Sequence, residues 1–310
     1  MFKYVLKRVL ISLATLMVIL FVLFLMLEFM PGSPFNDEKL TMEQIALLNI
    51  KYGLDKPVYI RFINYLKNML KGDFGVSYSI NKNFAVSSMV ADRLPISIGI
   101  GLLAMVAGSV FGLLLGIIAS LNHNTWIDNL CSAVSVLGVS IPSYVLALGL
   151  CYFISTNFKI SVLYNIGEPI KSMILPALAL SFLPMANIAR FTRSEMIDVL
   201  GSDYILLVQS KGVKEHKLIF KHALRNALIP VITIMGPMLV GLLTGSMVIE
   251  KIFSIPGIGT LLIQGIQSND YNVVIACSFI YSAMYIAVML VVDILYGVID
   301  PRIRVAKEGK

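Results

Sequence analysis

Six apolar stretches, each about as long as a bilayer is thick, dominate this chain of 310 residues. They run from Val9 to about Met30, then Pro95–Leu121, Leu130–Thr156, Ser172–Ala189, Asn226–Ile249 and Val273–Val298. A helix crosses the hydrocarbon core with roughly 20 apolar residues. Inside that core every backbone N–H and C=O must be satisfied within the segment, which favours helices over open strands. The expected fold class is therefore all-α, a polytopic membrane protein with six transmembrane helices. Composition excludes a soluble single-domain enzyme: 57% of the residues are hydrophobic and 14% charged, against about 45–50% and about 25% in an average soluble domain.

The first stretch follows Lys3, Lys7 and Arg8, a pattern that also begins signal peptides. Its length and the lack of a small-x-small site before Pro31-Gly32-Ser33-Pro34 mark it as a retained membrane helix. Residues 31–94 are polar, with turn signals at Pro31-Gly32, Lys71-Gly72-Asp73 and Arg93-Leu94-Pro95. Within them Tyr59, Phe62, Ile63, Leu66, Met69 and Leu70 recur at helical spacing, predicting an amphipathic helix on the membrane domain or in the interface. The organisation expected is a first helix with an extracytoplasmic loop over 1–94, a five-helix domain over 95–298, and a tail over 299–310. Cys131, Cys151 and Cys277 all fall in apolar stretches, where Cys acts as a small hydrophobe.

Orientation follows from Lys and Arg in the short flanking segments. Three precede residue 9, seven lie in 190–225 and four follow Val298, whereas 157–172 holds two and 250–272 one. Both termini and the 190–225 loop are expected on the cytoplasmic side. The net charge of +7 thus reads as an orientation signal, not as affinity for nucleic acid.

In the second stretch Ala104, Gly108, Gly112, Gly116 and Ser120 fall every fourth residue, on one helical face. Such a seam predicts close approach of a neighbouring helix backbone. Prolines at 142, 176, 184, 230 and 237 each remove a helical hydrogen bond and permit a kink. Chemistry of other classes is missing from the sequence. There is no G-x-x-x-x-G-K-[ST] loop, no H-E-x-x-H and no G-x-S-x-G. His123, His216 and His222 lie in predicted cytoplasmic segments, the last two six residues apart and off ligand spacing. Only Glu28 and Asp293 are ionisable within predicted spans, too few for a proton-coupled carrier.

One loop concentrates signal. Ser202-Asp203 is expected to cap a short helix through the aspartate oxygen. Tyr204 to Lys211 then makes about two turns, stopped by Gly212 in the left-handed conformation. A second helix is expected from Val213 to Leu224. Two basic, amphipathic helices joined at a glycine suit either a docking surface or a solvated loop at the membrane.

Asp203-Tyr204, Lys211-Gly212 and the run from His222 through Arg225 to Pro230 resemble the signature loop of binding-protein-dependent ABC importer permeases, in its dipeptide, oligopeptide and nickel variant. Further matching segments span almost the whole chain. They include Pro31-Gly32-Ser33-Pro34-Phe35, Lys51-Tyr52-Gly53-Leu54, Gly72-Asp73-Phe74-Gly75 and Ile188-Ala189-Arg190-Phe191-Thr192-Arg193. Gly245-Ser246-Met247-Val248-Ile249-Glu250, Pro256-Gly257-Ile258-Gly259, Val292-Asp293-Ile294-Leu295-Tyr296 and Asp300-Pro301-Arg302-Ile303-Arg304 complete the series. The nearest resemblance is to the first membrane subunit of oligopeptide permeases. One segment departs: Leu207-Val208-Gln209-Ser210 stands where the family usually has small residues and an arginine, which should alter packing against a partner ATPase.

The resemblance implies a type I ABC importer permease (MetI-like) architecture in a bacterial cell membrane, without catalysis or a cofactor of its own. ATP would be bound by partner subunits. The partners implied are a second homologous permease in a heterodimer, one or two cytoplasmic ATPase subunits, an extracytoplasmic peptide-binding lipoprotein, and membrane lipid. Asp203, Tyr204, Lys211, Gly212, His222 and Arg225 would form the ATPase-coupling loop, and Arg190 and Arg193 would add cytoplasmic contacts. The cargo implied is oligopeptide, with nickel or a metal chelate as the alternative. A stand-alone secondary carrier is the reading from another class.

Overall fold

The computed structural model describes residues 2–29, 41–243 and 247–299, with the side chains of 2–5, 28, 42 and 293–299 excepted. The Pro31–Phe35 segment, Gly245-Ser246, the tail from Asp300 and the side chains of Glu28 and Asp293 therefore lie outside the described residues. The helices in order are α1 (Phe2–Glu28), α2 (Met42–Tyr52), α3 (Val58–Met69), α4 (Val86–Leu121), α5 (Trp126–Ser140), α6 (Ser143–Phe158) and α7 (Pro169–Leu200). They continue with α8 (Asp203–Ser210), α9 (Glu215–Lys217), α10 (Leu224–Leu243), α11 (Met247–Ile252), α12 (Ile258–Gln267) and α13 (Tyr271–Ile299). Among the described residues there is no strand, only one isolated bridge between Val76 and Ala85.

Among the described residues five helical segments are long and apolar enough to cross a membrane: Leu6–Leu27, Val86–Leu121, Pro169–Leu200, Glu215–Leu243 and Tyr271–Val292. A sixth exists only if α5 and α6 count together, because they meet at 101°. The third span expected over Leu130–Thr156, with a kink permitted at Pro142, is thus corrected to two helices broken at Ile141-Pro142, a broken span or a re-entrant loop. Its cause is local: the ring of Pro142 disfavours the helical region for the residue before it, and Ile141 is extended at φ −89, ψ 119. By contrast Pro176 and Pro184 remain inside α7, and Pro230 and Pro237 inside α10.

The chain divides into two compact units, Met1–Ser97 with Pro256–Leu290, and Ile98–Ile255 with Val291–Lys310. In the second, α7 is the hub, with α5, α6 and α10 packed on it. The small-residue seam of α4 also lies against α7. A Cβ on Gly108 would stand 2.9 Å from the Ser181 carbonyl oxygen, one on Gly112 2.7 Å from that of Met185, and one on Gly116 2.7 Å from that of Ala189. Only glycine allows this approach. It matters in a bilayer, where helices associate by packing more than by hydrophobic burial.

In the first unit α3 packs on α1. Phe62 meets Phe21 and Phe24 edge to face at 5.3 and 5.5 Å, and the Arg61 guanidinium lies 5.6 Å from the Phe24 ring centre. The predicted stripe splits: Phe62, Leu66 and Met69 turn inward, whereas Tyr59 and Ile63 are exposed. Asp270, fully buried before α13, accepts from the Ser77 hydroxyl at 2.5 Å and from the Ser79 and Ile80 N–H groups at 3.0 and 3.3 Å. One carboxylate therefore ties the 77–80 turn to the start of the last span.

Candidate functional site

The loop between α7 and α10 is built on its own small core. Ile205 and Val208, three apart on one face of α8, pack with Met196 from the end of α7 and with Leu218, Ala223 and Ala227. Helix α8 starts at Asp203, but not as expected: no side-chain cap bond forms. The Ser202 hydroxyl instead donates back to the Val199 carbonyl at 2.6 Å, and Asp203 stands in the first turn, where a carboxylate complements the helix dipole.

Gly212 ends this helix region at φ +71, the left-handed conformation that glycine adopts without a Cβ penalty. Among the described residues nothing lies within 4 Å of where its Cβ would be, so the turn stands open. The second helix expected over Val213–Leu224 is corrected. It begins at Glu215 with α9 and passes through a π-helical turn, Leu218–Ala223, directly into α10. Closing by i to i+5 bonds, as from the Leu224 N–H to the Ile219 carbonyl, brings residues five apart to one side. This is how Leu218 and Ala223 both reach the core.

Tyr204 and His222 bridge the two arms, with a hydrogen bond of 2.8 Å between the phenol oxygen and Nδ1. Around them Lys211, Lys214, Lys217, Lys221 and Arg225 are all exposed, against only Asp203 and Glu215 on the acidic side. The departing segment splits by facing. Val208 serves the internal core at 7% exposure, while Leu207 is 56% exposed beside the basic residues.

Arg190, exposed one turn up α7, donates to the Asn187 side-chain oxygen at 2.8 Å. Arg193 instead points inward. Its Nε and a terminal nitrogen donate to the two Asp128 oxygens at 2.6 and 2.7 Å. Its Asp128 partner is 3% exposed, against 30% for Arg193 itself. Asp128 also accepts from the Asn124 N–H at 3.0 Å, and His123 Nδ1 accepts from Arg193 at 3.2 Å. Planar two-point pairing of this kind holds angle as well as distance. It fastens the base of the loop to the start of α5, and so joins α7 to the α4–α5 turn.

Asp128 escapes sequence reasoning because the apolar run of the third span begins only at Leu130. The available signal was a stripe: Asp128, Cys131, Ser135 and Gly138 form the buried face of α5, and an acid on such a face requires a basic partner.

The sequence matches the family described as "Binding-protein-dependent transport system inner membrane component" over residues 112–305, and its N-terminal companion over residues 1–101. It is 43% identical over 304 residues to the dipeptide transport system permease protein DppB of Lactococcus lactis subsp. cremoris, covering 98% of this chain and 100% of that one. It is 40% identical over 307 residues to the oligopeptide transport system permease protein OppB of Salmonella typhimurium, covering 98% and 100%. Among solved structures, the MetNI methionine ABC transporter in an inward-facing form is similar in fold. The TM-score is 0.55 at 16% identity, over 68% of this chain and 96% of that one.

Proposed function

The chain belongs to the binding-protein-dependent transport system inner membrane components, and from this premise we propose that it is one pore-forming half of an ATP-driven peptide importer. The full-length identity to peptide permeases supports peptide as cargo. The observation that carries the mechanism is the 203–225 loop, whose core joins α7 and α10 beneath an exposed basic face.

In this reading both termini and the loop are cytoplasmic. Tyr204, Leu207, Lys211 and the Gly212 turn seat in a partner ATPase, with Asp203, His222 and Arg225 shaping the seat and Arg190 flanking it. Residues 95–298 form the permease domain, and the 1–94 loop faces a substrate-binding lipoprotein outside. A second, homologous permease completes the pore. The chain holds no nucleotide itself and receives motion. When ATP closes the ATPase pair, the loop is displaced, and its core moves the ends of α7 and α10 together. The Arg193–Asp128 pair passes the displacement to α5. Rigid-body transmission of this kind requires a packed, bistable body rather than a flexible tether.

Gly212→Trp tests the coupling. The space is open, so the side chain is accommodated, while the left-handed backbone conformation costs about 1–2 kcal/mol and the ring protrudes where the ATPase seats. Expected is membrane insertion at the normal level, with labelled-peptide uptake reduced at least about tenfold and ATP hydrolysis no longer tied to it. Normal uptake by this variant would sink the coupling role. Uptake that survives deletion of the partner ATPase would overturn the importer reading itself.

A further inference from the structure

The first unit contains a cavity of about 510 Å³ that the transport reading leaves unused. Its volume lies in the range of small-molecule sites, about 300–1,000 Å³. One wall is the end of the first membrane helix, at Phe24 and Leu27, and the window of apolar residues able to span the bilayer ends at Leu27. The helix end that lines the cavity is thus where the apolar window stops and hydrocarbon gives way to head groups. Met26 and Phe29 near that helix end are 66% and 82% exposed, as suits contact with lipid.

The lining also carries cations. Among the described residues Lys51, Lys56 and Arg61 line the cavity, against one carboxylate, Asp73; Arg61 lies over the Phe24 ring and donates to the Leu54 carbonyl at 3.2 Å. Asp73 is already engaged, accepting from the Gly75 N–H at 2.8 Å. Tyr65 is in the same lining, and its hydroxyl is buried with no hydrogen-bond partner among the described residues. Burial holds its phenol far above the usual value, so this hydroxyl keeps its proton and can donate. A buried donor left unpaired costs about 1–3 kcal/mol, a cost that an acceptor in the cavity would remove.

We infer that this cavity seats the phosphate of an anionic phospholipid head group, with Lys51, Lys56 and Arg61 as its charge partners and the Tyr65 hydroxyl as a donor. Phe24 and Leu27 then receive the first methylenes below the glycerol. A free inorganic phosphate satisfies the cations but leaves the apolar wall uncovered. A choline-bearing head group fares worse, because two of the aromatic faces already carry cations. Lys51 lies 5.3 Å from the Tyr52 ring centre and Arg61 5.6 Å from that of Phe24. Tyr and Lys at the membrane interface are the residues that anchor there.

The test uses the full chain in an uncharged detergent and counts bound lipid by native mass spectrometry. Dioctanoyl-phosphatidylglycerol should bind about tenfold or more tightly than dioctanoyl-phosphatidylcholine: both carry the phosphate, but the choline cation is repelled by Lys51, Lys56 and Arg61. Lys56→Gln, at an exposed position, and Lys56→Gln with Arg61→Gln should progressively abolish that preference. Tyr65→Phe should weaken phosphatidylglycerol about threefold to tenfold. Lys67→Gln, on α3 but off the cavity, should change nothing. Equal binding of the two lipids overturns the inference, as does an equal loss in Lys67→Gln. Displacement by equimolar inorganic phosphate overturns the lipid source in favour of a free anion.

Discussion

Asp128→Ala is expected to cost the folded chain about 3 kcal/mol or more, because removing one partner of a buried ion pair leaves the other charge uncompensated, at about 3–5 kcal/mol. Arg193 retains 30% exposure, which places the loss at the lower end of that range. Thermal unfolding of the full chain in detergent reads it as a lowered midpoint. The companion experiment is the double variant Asp128→Ala with Arg193→Met. Deleting both charges removes the desolvation cost together with the attraction, and such exchanges are often neutral. The double variant should therefore recover most of the stability that the single one loses. Its second readout is transport: a stable protein whose α7 is no longer fastened to α5 should move less peptide for each ATP that its partner ATPase hydrolyses. An unchanged midpoint in Asp128→Ala, or losses that simply add in the double variant, would show that the pair holds nothing.

Much of this arrangement was legible in the sequence, where the physics is local. Apolar runs of about bilayer length name their own spans, and Lys211-Gly212 after two amphipathic turns marks a helix stop with a left-handed residue. Features decided by distant partners were not legible. Pro142 and Pro184 look alike along the chain, yet one ends a helix and the other stays inside one. Pro184 is clamped in a helix buried by neighbours on several sides, while Ile141 is free to extend. The π turn at Leu218–Ala223 has no residue signature of its own; it exists because two residues five apart must reach one core. Arg193 could not be told from Arg190 as an inward-facing group, since its partner stands 65 positions away.

Gly112→Leu is expected to do the most damage to the membrane domain of any change in the seam. The new Cβ would begin 2.7 Å from the Met185 carbonyl oxygen and 2.9 Å from the Ile188 Cβ, and three further carbons would follow it. The first obstacle is backbone, so no rotamer change can relieve it, and α4 has to move off α7. Overpacking of a side-chain core typically costs about 1–3 kcal/mol, and contact with a fixed carbonyl places this site at or above that range. Separation also opens the contacts on either side, at Gly108 and Gly116, because all three rest on the same helix. The control lies in the same protein. Gly149, inside α6, has nothing among the described residues within 4 Å of where a Cβ would stand, so Gly149→Leu meets no wall. Leucine forms helix better than glycine by somewhat under about 1 kcal/mol, which makes that change neutral or mildly favourable. Two glycine-to-leucine changes in helices should thus have opposite signs, separated by packing alone. Thermal midpoints and protease resistance of the two variants, measured in the same detergent, decide it. Equal stability of Gly112→Leu and Gly149→Leu would mean that α4 and α7 do not meet at the seam.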